Sequence, residues 1–391
     1  MSSAVAVRCV VDSAAASKQQ KEEAQHEAQE RQLAAHVDGA GDRTRTNARG
    51  RLVQVLGHDA GVWRPGRTRS NPTSVPRTRR ARRWALDALG RGDRNAGSVA
   101  PMETDDPQTT ARAAADRAGV SVLDGRAMDR DGLVALADLF GEVWGRDPAM
   151  GPIVSAEILW ATAHVGNPVV AAFSGDRLVG GTVGFVGVRD RTLRVHSHLT
   201  GVAGDAAGRG IGRALKWHQR AWCLARDITE VEWTFDPLVR RNAVVNLVHL
   251  GARPATWLDD LYGPMEDDRN AGLPTDRLLV RWGLTEARVQ QAALGRAAEP
   301  RVEGLLRAGA EVVLDEDDAG APVLTPTTGP RRLVRVPRDI ESLRTRDRDL
   351  AAAWAGAVRD ALGGGLRAGM RITGVTRDGW YVLVAPDGVA E

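Results

Sequence analysis

The chain has 391 residues, 43 % of them apolar, enough for a sizeable core in one or two domains of ordinary size. Its two cysteines, Cys9 and Cys223, exclude a disulfide framework, and no run of about 18 apolar residues offers a membrane span. The formal charge of +3 hides an asymmetry: residues 1–101 hold about 18 Lys/Arg against about 10 Asp/Glu, so the remainder is acidic.

The first segment, 1–101, reads as a basic low-complexity tail. Residues 14–36 are rich in Ala, Gln, Glu and Lys and lack an apolar stripe. Arg, Gly, Pro, Ser and Thr follow without period as far as the arginine run 77–83. Such composition buries too little apolar surface to offset chain entropy, so disorder is the expectation. A nucleic-acid arm is a second reading. A third is a translation start at Met102, because no methionine lies between Met1 and Met102. The broken apolar start does not form a secretory leader, and a reducing cytoplasm is the expected setting.

From about residue 120 the pattern is that of alternating elements. Val120–Leu123 reads as a strand, and Leu133–Trp144 carries apolar residues at helical spacing. Ser155–Val165 is a second helix with Ser155 as N-cap. Pro168–Phe173 and Leu178–Val188 form a hairpin about the turn Ser174-Gly175-Asp176-Arg177, and Arg191–Val202 is a third strand of that run. A glycine-rich turn then leads into a helix ending near Arg226. Thr229–Phe235 is a strand, Leu238–Leu250 a helix stopped by Gly251, and Thr256–Tyr262 and Leu278–Leu284 two more strands. This order indicates an α/β fold with a largely antiparallel first half, spanning 102–284. Residues 285–391 read as an extension packed on that core. It holds strands at Glu311–Leu314 and Arg332–Val336, a helix over Ile340–Leu362, and a closing hairpin at Met370–Val375 and Trp380–Val384.

The turn Gly208-Arg209-Gly210-Ile211-Gly212 carries the strongest chemical signal. Glycines permit a tight turn and close approach of a ligand to the backbone. The helix behind them offers unpaired N–H groups and a positive dipole end, an anion site fit for a pyrophosphate. Arg209 and Arg213 add charge. An ordinary strand–helix turn has the same composition. A Rossmann fingerprint fails in both registers, at Arg213 and at Leu215, and no Walker Lys-Ser/Thr follows.

The loop resembles that of the GNAT superfamily of acyltransferases, in which Arg/Gln-x-x-Gly-x-Gly/Ala after the fourth strand cradles the coenzyme A pyrophosphate. A branch of predicted GNAT acetyltransferases is resembled further: in His196-Ser197-His198-Leu199-Thr200-Gly201-Val202, in Trp233-Thr234-Phe235-Asp236-Pro237-Leu238, in Arg241-Asn242-Ala243 with Asn246, and in Gly272 to Val280. The resemblance covers roughly 120–386 and implies a GNAT-type twisted mixed sheet with splayed central strands. It implies acetyl-CoA or another acyl-CoA as co-substrate, held by Gly208, Arg209, Gly210, Ile211, Gly212, Arg213 and Ala214. Backbone groups of Thr200 and Val202 and the side chain of Asn242 are expected on the pantetheine arm; as a bare sequence feature, Asn242 equally suits a helix cap. Two positions depart from the family pattern. Ala207 stands where Arg or Gln opens the loop, and Leu247 stands where a tyrosine often serves as general acid, which leaves the acid unassigned.

His196 and His198 lie two apart on a strand, so period two places them on one face together with Thr200. Acyl transfer needs a neutral amine, and an alkylammonium of pKa about 10 is only about one part in a thousand neutral at pH 7. A base near pH 7 recovers that handicap. The spacing resembles the His-x-His of arylalkylamine N-acetyltransferases, which implies a catalytic proton relay at His196 and His198. Two satisfied polar residues in a crowded sheet are the plain alternative, and a zinc site would have to recruit Asp236 or His249. Glu232 and Asp236 are expected to line the acceptor pocket. Cys223 lies well along a helix, so the expected mechanism is direct attack by a small-molecule amine with no covalent enzyme intermediate and no metal. Membrane and nucleic acid are not the expected partners.

Overall fold

The computed structural model describes residues 105–263 and 273–386. The expectations for the basic tail fall outside these residues, as does Gly272 of the last motif.

The chain opens with helix α1, Pro107–Ala118, which the sequence reading missed. Asp106 caps it, accepting from the Thr109 N–H at 2.8 Å, and Pro107 fits the first turn. Strand β1, Ser121–Asp124, follows, then helices α2, Arg130–Val143, and α3, Ala156–His164. Ser155 caps α3 as expected. Strands β2 (Val169–Ser174), β3 (Arg177–Arg189) and β4 (Thr192–Val202) form an antiparallel meander. Helix α4, Ile211–Leu224, leads to β5, Glu230–Phe235. Helix α5, Arg240–Val244, is short and continues as a π-helical turn over Val245–His249. Strands β6 (Arg253–Leu258) and β7 (Arg277–Gly283) complete a seven-stranded sheet in the order β1-β2-β3-β4-β5-β7-β6. Every pairing is antiparallel except that of β4 with β5.

Each face of this sheet buries a separate apolar cluster. Leu133, Leu136 and Phe140 of α2 and Leu159 of α3 pack with Val183 and Leu199 on one face. Ile211, Leu215 and Trp217 of α4 pack with Val179, Val195 and Val231 on the other, and α1 lies over α4. Arg220 of α4 is sealed in that second layer. Its guanidinium pairs with Asp105 through both nitrogens, one bond measuring 3.0 Å, and donates to the Leu284 carbonyl at 2.9 Å. Their side chains are 2 % and 5 % exposed.

Residues beyond Leu284 add helices α6 (Ala287–Ala293) and α7 (Val302–Arg307) and a second, five-stranded sheet. Its strands are β8 (Glu311–Glu316), β9 (Pro322–Leu324), β10 (Arg331–Arg335), β11 (Arg371–Val375) and β12 (Trp380–Val384), in the order β11-β12-β10-β8-β9. The long helix expected over Ile340–Leu362 is broken. Helix α8, Ile340–Arg346, stops at Asp347, an extended residue whose side chain caps α9, Arg348–Val358. A π-helical turn over Arg359–Gly363 then leads to α10, Gly364–Arg367. Trp354, Val358, Tyr381 and Leu383 share the apolar cluster of α4 and β5. Three polar ties cross the same boundary. Arg344 donates to Asp236 at 2.6 Å, Arg359 to Asp276 at 2.7 Å, and the buried Tyr381 hydroxyl to the Pro237 carbonyl at 2.8 Å.

Candidate active site

Strands β4 and β5 touch over two residue pairs only, Val195 with Val231 and His196 with Glu232. Beyond them β4 stays paired with β3 as far as Val202, and β5 stays paired with β7 as far as Phe235. The two strands therefore diverge, and the sheet has a fork between Ser197–Val202 and Trp233–Phe235. Unpaired strand edges inside a fork can accept an extended ligand arm as an added strand.

β4 carries a bulge at the mouth of the fork. Val183 pairs with Leu199 but Gly184 pairs with Ser197, so His198 is the extra residue. The bulge rotates everything beyond it. Val195 and Ser197 face α4, whereas Leu199, of the same parity, packs against α2 on the opposite face. Thr200 therefore does not share a face with the histidines, contrary to strict period-two alternation. Its hydroxyl lies 2.8 Å from that of Thr182, on the α4 side, and Val202 follows it there, 3.8 Å from where a Cβ on Gly212 would stand.

His196 and His198 remain together on the other face, ring centroids 6.0 Å apart, with Phe185 5.5 Å from His198. Glu232 stands beside His196 in register, and Arg189 reaches it at 3.3 Å and 3.4 Å. Burial lowers the pKa of both histidines. For His196 the neighbouring His198 lowers it further, and Glu232 opposes the shift. Both rings are thus neutral near pH 7 and able to accept a proton.

On the α4 side, Gly208 and Gly210 adopt φ of 80° and 86°, left-handed values that favour glycine. Gly210 is the N-cap of α4, and no side chain caps the helix, so the first-turn N–H groups point outward from the loop. Ile211 and Ala214 are buried and anchor the turn, so only their backbone faces a ligand. Arg213 lies beside the loop, its guanidinium 3.6 Å from where a Cβ on Gly210 would stand. Arg209 points elsewhere: it donates to the Ala118 carbonyl at 3.3 Å and to Ser174 at 3.2 Å, tying the loop to α1 and β2. Asn242 is exposed inside α5, whose N-cap is Val239, so it caps nothing.

Other residues weighed from the sequence are otherwise occupied. Asp236 accepts from Arg344 and from the Leu238 N–H at 2.9 Å, which makes it a bracket between the two sheets rather than a pocket wall. Leu247 is buried apolar surface. Cys223 is buried and its thiol is pushed up to about 12 by burial, leaving no thiolate for covalent catalysis. Among the described residues no group of three His, Cys, Asp or Glu side chains gathers as a metal site.

The sequence reading missed Lys216. It is fully buried under the fork: its Nζ donates to Ser197 Oγ at 2.7 Å and sits 3.8 Å from the Trp233 ring centroid. It thus spans β4 and β5 at the first residues past their last pair. Burial lowers its pKa to about 7. A lysine on an amphipathic helix gives no sign in sequence that it points inward.

No family model matches the chain, and a search of curated proteins finds no match. Several solved structures are similar over part of it. One is Arabidopsis thaliana Naa50 in complex with the bisubstrate analogue CoA-Ac-MVNAL, 18 % identical, covering 42 % of this chain and 97 % of that one, TM-score 0.31. Another is the ribosomal-protein-S18-alanine N-acetyltransferase from Escherichia coli, 15 % identical over 43 % and 96 % of the two chains, TM-score 0.34. A third is an aminoglycoside acetyltransferase from an uncultured soil metagenomic sample in complex with sisomicin, 20 % identical over 30 % and 76 %, TM-score 0.27. The strand order, the one parallel pair of the seven-stranded sheet that forks, the bulge in β4 and the glycine turn heading α4 make this an α/β fold with a mixed sheet whose central strands splay, as expected from the sequence.

Proposed function

We propose that the chain is an acyl-CoA-dependent N-acyltransferase, acetyl by default, acting on the amine of a small molecule. The observation that carries this reading is the fork, with an uncapped helix N-terminus on one side of the sheet and two neutral histidines on the other. The coenzyme pyrophosphate rests on the N–H groups of Gly208–Ala214, with Arg213 beside it. The pantetheine arm runs along Thr200–Val202 into the fork. The thioester then emerges on the histidine face, where the acceptor amine arrives.

His196 and His198 take the amine proton, directly or through water, while Glu232 steadies the charge that forms on His196. The neutral amine attacks the thioester carbonyl, the tetrahedral adduct collapses, and the C–S bond breaks to give the amide and coenzyme A thiol. This direct transfer needs no covalent enzyme intermediate, and the buried Cys223 supplies none.

The test is thiol release from acetyl-, succinyl- and longer acyl-CoAs against a panel of amines. Amine-dependent release with a matching acylated product supports the reading. Tight coenzyme binding with no release from any pair would leave a binding protein, the alternative that Leu247 in the tyrosine position favours.

A further inference from the structure

We propose that the segment beyond Leu284 completes the coenzyme site, through an arginine-lined groove that receives the 3′-phosphate of coenzyme A. This rests on the acyl-CoA reading above and adds a ligand contact from a different part of the chain.

The groove has a volume of about 500 Å³ and lies between α5 and the start of α8. Arg240, Arg241 and His249 line it from the first sheet's side, and Arg338 and Arg377 from the second. Two carboxylates, Asp339 and Glu341, stand in the same wall. Both are engaged: Asp339 caps α8 through Ser342 at 3.0 Å, and Glu341 is bound by Arg241. Arg377 is paired with Glu299 at 2.8 Å. Among the described residues no carboxylate pairs with Arg240 or Arg338. Arg240 donates only to the Asp378 carbonyl, at 3.2 Å, and Arg338 is exposed. The groove therefore holds two guanidinium groups whose charge no carboxylate answers.

Its position follows from the fork. Strand β5 runs along the fork to Phe235, and α5 with its π-helical turn, which leave that end of the strand, line the groove through Arg240, Arg241, Val244, Val245 and His249. Arg213 of the first turn of α4 and Arg377 of the groove wall both lower the pKa of His249, after burial. A coenzyme with its pantetheine in the fork and its pyrophosphate on the glycine turn must send its nucleotide end onward past the turn, away from the fork, and that end carries a phosphate monoester. Arginine matches it bidentately, and charge-assisted hydrogen bonds are the strong ones.

The experiment is calorimetry of coenzyme A and 3′-dephospho-coenzyme A with the full chain and with Arg338→Ala, Arg240→Ala and the double variant. Wild type should bind coenzyme A about tenfold or more tighter than the dephospho form. Each variant should weaken coenzyme A alone, and the double variant should bind both forms equally. The dephospho form is the internal control, because a folding defect would weaken both. Equal wild-type affinity for the two, or an equal loss for both in the variants, overturns the groove while leaving the fork reading intact. Wild type binding neither ligand overturns both.

Discussion

The two faces of β4 hold groups of the same electrostatic kind with opposite prospects. On one face, His196 is half-buried and His198 exposed, and both are lowered toward the neutral form near pH 7. On the other, Lys216 is fully buried between Ser197 and Trp233, also lowered toward neutrality by burial, and sealed by α4. A depressed pKa therefore marks desolvation, and access decides whether it marks chemistry. The bulge at His198 is what divides the strand. It leaves both histidines on one face and turns Thr200 and Val202 to the side of α4.

The largest effects should come from the open face. His196→Gln or His198→Gln should lower kcat by about 10²–10⁴, leaving acyl-CoA affinity nearly unchanged. The loss should shrink at high pH, where the amine arrives neutral. The acid limb of the wild-type kcat/KM profile should lie below about 6.5, the ordinary histidine value, because both rings are lowered. Additive losses in the double variant would show that the pair does not act as a unit.

The sealed face should answer in stability instead. Asp105→Ala strands Arg220 in the core and should cost about 3–5 kcal/mol by denaturant unfolding, with no specific kinetic signature. By contrast, a chain beginning at Met102 keeps Asp105 and should retain both its Tm and its coenzyme affinity.

Lys216→Met gives a smaller effect of opposite sign. The folded pKa of about 7 lies below the unfolded value, so between about pH 7 and 10.4 the unfolded chain holds more protons. Wild-type stability should rise through that window, and below it this group adds no slope. The variant should flatten the rise and be more stable at neutral pH by up to about a few kcal/mol, read from unfolding curves at several pH values. An unchanged slope would mean that Lys216 is solvated.

Much of this was legible in the sequence because it is local. The glycine turn, the cap at Ser155 and the Ser174–Arg177 hairpin turn are signals a few residues long. The fork was visible only through resemblance, since strand divergence depends on pairings with β3 and β7 far along the chain. The face of Thr200 was misread because one inserted residue, His198, reverses parity. Asn242 caps nothing because the helix already begins at Arg240, behind the turn Asp236–Val239 and two residues ahead of Asn242. Helix α1 was missed although Asp106-Pro107 is a start signal, its Ala-rich face giving only a weak apolar stripe. The second sheet stayed obscure because β9 has three residues and β8 pairs in parallel with β10 across a long connection.

The central claim is that an acyl-CoA lies on the Gly208–Ala214 turn and enters the fork, and Gly210→Glu tests it most directly. Gly210 holds φ of 86° at the N-cap, so the substitution puts a side chain and a negative charge where the pyrophosphate should rest. Calorimetry with acetyl-CoA should show binding to wild type and at least about tenfold weaker binding to the variant, its melting remaining cooperative. A folded variant that binds acetyl-CoA as tightly as wild type would place the coenzyme elsewhere.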